Sequence, residues 1–120
     1  MPTRILYAED DDTSRLIIKE QLESEGYAVE TAADGEEAIA LLQKGQYDLV
    51  LLDIKMPGKT GLEVLKALRD QGSTSRAIML TAVNELSIAI QAVKLGANDY
   101  VTKPFQLDQL FASIQRVLQR

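Results

Sequence analysis

Cysteine and histidine are both missing from these 120 residues. Without cysteine there can be neither a disulfide framework nor a thiolate metal site. Without histidine, any step that needs an imidazole must borrow it from a partner. Basic charge is also short: 13 Lys and Arg stand against 18 Asp and Glu, for a net charge of −5. That argues against direct nucleic-acid binding, which needs clustered cations. Apolar runs such as Leu49–Leu52 fall far below the roughly 20 residues of a membrane-spanning helix, so no membrane segment is expected. The chain turns acidic by Glu9, against the pattern of a signal peptide. A cytoplasmic, reducing setting fits this composition.

What is present is an ordinary globular mixture, 46% hydrophobic and 26% charged, of a length that suits a single domain over residues 1–120. Apolar runs at 4–8, 28–32, 48–52, 77–81 and 99–101 alternate with helical periodicity. Ile18 and Leu22 carry the first helical pattern, and Ala38, Leu41 and Leu42 the second. Leu65 and Leu68 carry the third, and Leu107, Leu110, Ile114 and Val117 the last. The fourth has two apolar stripes: Leu86, Ala89 and Val93, then Ile88, Ala92 and Leu95. One stripe must face the core, and the other is more apolar than a solvated face needs. Gly26, Gly45, Gly72 and Gly96 follow the first four helices, where positive φ is useful. Thr60-Gly61-Leu62-Glu63 reads as a capping box, with Asp34 and Asn84 as further N-caps. Strand–helix alternation of this kind predicts an α/β fold with a parallel sheet and right-handed crossovers.

In such a sheet, ligands bind beyond the carboxyl ends of the strands. Glu9-Asp10, Asp53, Thr81 and Lys103-Pro104 all stand at those ends. Asp11 and Asp12 are adequately explained as helix-capping carboxylates. Clustering Glu9, Asp10 and Asp53 is costly, about 4 kcal/mol per pair at 4 Å and an effective dielectric near 20. A hard divalent cation, Mg2+ or Mn2+, would offset that cost. A calcium loop over Asp10, Asp12 and Ser14 fails, because Arg15 replaces the required glycine and Gln21 the closing glutamate. Lys103 and Thr81 suit phosphoryl oxygens, one as a point charge and one as a hydroxyl donor. Pro104 points to a fixed bond, a candidate for cis, aiming the ammonium over the sheet.

Together these residues resemble the receiver domain of response regulators, the phospho-acceptor module of two-component signalling. The resemblance rests on Glu9-Asp10, on Asp53 with Met56-Pro57 and Gly61, on Thr81-Ala82, on Gly96-Ala97 and on Asp99 to Phe105. It implies a flavodoxin-like, doubly wound five-stranded sheet in the order 2-1-3-4-5 with five helices. It also implies phosphorylation at Asp53 by a partner histidine kinase or histidine phosphotransfer protein. Asp10, Asp53 and the Lys55 backbone carbonyl would ligate the metal, with Glu9 acting through water. Thr81 and Lys103 would contact the phosphoryl group, and Tyr100 would rotate inward on activation, unless it is simply a half-buried ring at the sheet edge. Asp53, Lys103 and Thr81 would thus carry a self-phosphorylation and self-dephosphorylation chemistry, without the turnover of an enzyme. The output would reach an effector protein or an attached output domain, with a homodimer through the helix 4–strand 5–helix 5 face as a further expectation. Glu9 stands where this family usually has Asp, Asp12 where proline is frequent, and Lys55 and Val83 at variable flanking positions. Competing readings are a hydrolase with Asp10 as nucleophile, a flavodoxin and a scaffold without phosphate chemistry. The chain lacks length for a hydrolase's substrate-capping structure, and its first loop offers carboxylates where a flavodoxin needs Ser, Thr and Gly amides.

Overall fold

A computed structural model describes residues 2–119. The strands are β1 (Arg4–Ala8), β2 (Ala28–Ala32), β3 (Leu49–Asp53), β4 (Arg76–Ala82) and β5 (Asp99–Lys103). The helices are α1 (Asp12–Ser24), α2 (Gly35–Lys44), α3 (Gly61–Asp70), α4 (Leu86–Lys94) and α5 (Leu107–Leu118), with a 3-10 turn at Val83–Glu85. All strand pairs are parallel, in the order β2-β1-β3-β4-β5. This matches the expected topology.

Side chains alternate between the faces of a strand, and the core divides accordingly. Leu6, Ala8, Val50, Leu52, Ala77 and Met79 pack with α2, α3 and α4. Ile5, Tyr7, Leu49, Leu51, Ile78 and Leu80 pack with α1 and α5. Burial on both faces explains why β1, β3 and β4 read as continuous apolar runs. The same alternation sends Asp53, the last residue of β3, and Glu9, the residue just past β1, to the α1/α5 side.

The predicted capping chemistry is observed at two helices. Asp34 accepts from the Glu37 amide at 2.8 Å, and Thr60 and Glu63 close a reciprocal box at 3.1 and 3.2 Å. Asn84 is a correction: it lies inside the 3-10 turn, α4 starts at Leu86 and no side chain caps it. Gly45 is a second correction. Its φ of −153° is extended, whereas Gly26, Gly72 and Gly96 take φ of +94°, +77° and +110°. Strand β3 includes Asp53, so that residue belongs to the ladder and pairs in register with Leu80. The two stripes expected on α4 are not kept apart. Ala89 and Ala92, one from each, form the buried seam, while Ile90, Val93 and Leu95 are exposed.

Strand β5 is tied to α5 through Asp99, which accepts from Ser113 Oγ at 2.6 Å, from Arg116 and from the Tyr100 amide at 2.8 Å. Burial pushes this carboxyl up, but the bonds from Ser113, Arg116 and Tyr100 outweigh it and hold it below the ordinary carboxylate range. A depressed pKa contributes stability that is full above the unfolded value near 3.9 and is lost as pH falls through the folded value. Asp99→Asn is therefore expected to lower stability at pH 7 by about 1–2 kcal/mol, discounted for partial exposure. It is also expected to flatten the acid limb below about pH 4. Urea denaturation at both pH values measures this, and an acid limb as steep as the parent's would contradict it.

Candidate functional site

Five chemistry-bearing residues converge at the carboxyl end of the sheet, each for a local reason. Glu9 follows β1 and keeps one more ladder bond, its amide donating to the Ala32 carbonyl at 3.0 Å. Its carboxylate is 3% exposed and accepts from the Asp11 amide at 3.2 Å and from Lys103 Nζ at 3.0 Å. Asp53, 6% exposed, accepts from Lys103 Nζ at 2.8 Å on Oδ2 and from the Lys55 amide at 3.4 Å on Oδ1. Lys103 thus reaches from β5 over the end of β4 to bond two strands at once. The Lys103–Pro104 peptide that follows it is cis.

Asp10 is exposed at the mouth. Carboxylate oxygens of Glu9, Asp10 and Asp53 all lie within 4.8 Å of one another. Partial desolvation, then the neighbouring Glu9 carboxylate, push the Asp10 carboxyl above its ordinary value; a backbone hydrogen bond and Lys103 only partly oppose this. For Lys103 the balance runs the other way. Burial alone would lower its pKa, but hydrogen bonds and charge from Asp53 and Glu9 raise it, so the ammonium stays charged. Three carboxylates facing one ammonium leave the cluster negative, and its donors are all oxygen. That set fits a hard divalent cation.

Asp11 and Asp12 play the structural parts expected of them. Asp11 caps α1 by accepting from the Ser14 amide at 2.8 Å, and Asp12 in the first turn pairs with Arg15. Gly61 has a steric role beside the site. A Cβ there would sit 2.3 Å from the Asp53 carbonyl oxygen and 2.9 Å from Ile54 Cα, so glycine lets α3 start directly against β3. Lys55 is exposed, and its amide donates to Asp53 Oδ1 at 3.4 Å.

Two expected residues share none of the hydrogen bonds of the cluster. Thr81 is fully buried and donates to the Ala82 carbonyl at 3.1 Å. It lies one residue past Leu80, the register partner of Asp53. Tyr100 is 39% exposed, opposite Met79 on the sheet edge. Two residues that no sequence motif singles out also belong to the site's surroundings. Tyr7 is 1% exposed beneath the carboxylates; burial first, then the charges of Glu9 and Asp53, push its phenol far above the ordinary range. Its place two residues before Glu9 is the available signal, since alternation puts both on one face. Arg15 is the other, and its partner is a backbone carbonyl that no residue pattern marks.

A surface groove of about 1060 Å³ opens at the opposite end of the strands between Arg4, Tyr47, Asp48 and Arg76. Arg4 there is engaged with Glu30 at 2.9 Å and stacked over Tyr47 at 4.9 Å. Size does not locate the chemistry in this fold. The acidic cluster does.

Comparison with known proteins agrees with this geometry. The family model described as "Response regulator receiver domain" matches residues 5–115. The transcriptional regulatory protein TcrA of Mycobacterium tuberculosis is 41% identical over 98% of this chain and 46% of its own length. The response regulator MprA of Mycolicibacterium vanbaalenii is 40% identical over 100% of the chain and 52% of its own length. The chain thus spans about half the length of the curated relatives it matches. Among solved structures, the receiver domain of the Francisella response regulator 1452 superposes with a TM-score of 0.91 at 34% identity, covering 98% of each chain. The chemotaxis protein CheY4 of Vibrio cholerae does so with a TM-score of 0.90 at 34% identity, covering 98% of this chain and 99% of its own. Sheet order, acidic cluster and these matches agree: the chain belongs to the response regulator receiver domain family, the phospho-acceptor modules of two-component signalling.

Proposed function

We propose that Asp53 is the phosphoryl acceptor and that Lys103 is the cation that readies it. One observation carries this: Lys103 Nζ bonds Asp53 at 2.8 Å and Glu9 at 3.0 Å across the sheet end. In the transfer, an Asp53 oxygen attacks phosphorus, and the phosphorus–nitrogen bond to a partner's phosphohistidine breaks. The released imidazole belongs to the donor, since this chain has no histidine. Oδ1, which among the described residues accepts only a 3.4 Å bond from Lys55, is the oxygen freest to attack. Phosphoryl transfer depends chiefly on positioning and charge neutralisation. Lys103 then exchanges carboxylate contacts for phosphoryl oxygens. Asp10, Asp53 and the Lys55 carbonyl would hold magnesium or manganese, with Glu9 acting through water. The metal's contribution is neutralisation of phosphoryl charge.

The new group brings roughly −1.5 to −2 charge and three acceptor oxygens. Thr81, whose hydroxyl now serves Ala82, is drawn toward it, and Tyr100 follows inward. The output surface is the face of α4, β5 and α5, where Ile90, Val93, Leu95 and Tyr100 are exposed. It would meet an effector, an attached output domain or a second copy. The module transforms only itself and is not a turnover enzyme. Among the described residues no helix is long and apolar enough to cross a membrane, and we place the module in the cytoplasm.

Incubation with a small-molecule phosphodonor and Mg2+, followed by peptide mapping of the acyl phosphate, tests the assignment. Label is expected on Asp53 and is expected to vanish in Asp53→Asn. Label recovered on Asp10 would overturn it in favour of hydrolase-like chemistry.

A further inference from the structure

The peptide joining Glu9 to Asp10 carries two of the three clustered carboxylates, and it lies where the ladder gives out. Strands β1 and β2 stay in register as far as Ala8 and Ala32. The Glu9 amide makes one more bond to Ala32. The Glu9 carbonyl, beyond the paired residues, accepts instead from Arg15 NH1 at 2.8 Å. The other end of the same guanidinium bonds Asp12 Oδ1 at 2.5 Å. Arg15 is 20% exposed although Asp12 is 89% exposed, so the guanidinium is held in the structure and does not trail in solvent.

A planar fork with two engaged ends has little freedom to rotate. Fixing the carbonyl fixes the plane of the Glu9–Asp10 peptide, and that plane sets the directions in which both side chains leave the backbone. We propose that Arg15 is a positioning residue for the divalent-cation site, acting through the Glu9 carbonyl to hold Glu9 and Asp10 in ligating orientation. It does so from the first turn of α1, which the Asp11 side chain caps by accepting from the Ser14 amide. This rests on the reading of Glu9, Asp10 and Asp53 as the cation-holding cluster.

The test is calorimetric Mg2+ titration of the parent and of Arg15→Ala, Arg15→Lys and Asp12→Ala, at one ionic strength. Arg15→Ala is expected to weaken Mg2+ about tenfold, the lower end of what losing an outer-shell partner does. Arg15→Lys keeps the charge but not the fork, so at least half of that loss in log affinity is expected to remain. Asp12→Ala removes an exposed anchor without touching the carbonyl bond. It gives a folded variant and a smaller loss than Arg15→Ala. Unchanged affinity in both Arg15→Ala and Asp12→Ala would overturn the proposal and leave Arg15 as a helix brace. Full rescue by Arg15→Lys would also overturn it, since charge alone would then suffice. A parent chain that binds no Mg2+ would fail earlier, removing the carboxylate reading and this inference with it.

Discussion

Lys103→Ala is expected to slow Asp53 labelling by small phosphodonors about 100-fold or more at saturating Mg2+, the usual cost of losing one preorganised charge donor. Two independent losses combine here. The variant lacks the ammonium that would meet the phosphoryl oxygens, and it leaves Glu9 and Asp53 facing each other nearly buried, at 3% and 6% exposure. Removing one partner of a buried ion pair costs about 3–5 kcal/mol. Lys103 itself is 33% exposed, so about 2–3 kcal/mol is the expected loss of stability after solvent screening. The two losses separate experimentally. Millimolar Mg2+ replaces some of the missing positive charge and recovers part of the stability, but it leaves the labelling rate low. Labelling within threefold of the parent would remove Lys103 from the chemistry, whatever happened to stability.

The legible parts of this molecule are those in which one residue's own chemistry decides its role. Leu49–Leu52 reads as a strand because it is buried on both faces. Thr60 and Glu63 read as a cap because the two groups satisfy each other within one turn. Asp53 and Lys103 read as site residues because a charge that ends a buried apolar run must be matched by an opposite charge or a ligand. The failures have the opposite character. Asn84 has the chemistry of an N-cap, but the backbone after β4 winds into a 3-10 turn first, and local propensity cannot see that. Gly45 permits positive φ without requiring it. On α4, burial follows the line where the helix meets the sheet, so Ala89 and Ala92 are chosen by packing geometry over bulkier neighbours. Arg15 is invisible in the sequence for a further reason: it reaches the Glu9 carbonyl only through the way α1 is set against the end of β1, whereas Tyr7 is betrayed only by strand alternation two residues before Glu9. Family membership is legible from the combined motifs, whereas the separation of Thr81 from Asp53 needs coordinates.

Asp10→Asn is expected to produce crossed stabilities: more stable than the parent without divalent metal, less stable with it. Its carboxylate lies in a cluster whose oxygens fall within 4.8 Å of one another, and Lys103 bonds the other two members but not Asp10. An acid whose folded pKa is raised releases its proton less readily in the native state. Stability therefore falls as pH rises through the window above the unfolded value near 3.9, and at pH 7 the fold bears the whole penalty. For an exposed group that penalty is about 0.5–1 kcal/mol. Neutralising the residue returns it, raising the melting temperature in EDTA by roughly 2–5 °C. Mg2+ reverses the order, because a ligand at about 100 times its dissociation constant stabilises the parent by about 2.7 kcal/mol. An amide in place of a carboxylate forfeits most of that gain. Melting curves of both proteins in EDTA and in millimolar Mg2+ decide the matter. If Asp10→Asn is the less stable protein in EDTA, the carboxylate is not under repulsion. If Mg2+ stabilises both equally, the ion is held elsewhere. Only a site that strains the empty fold for the sake of the loaded one yields the crossing.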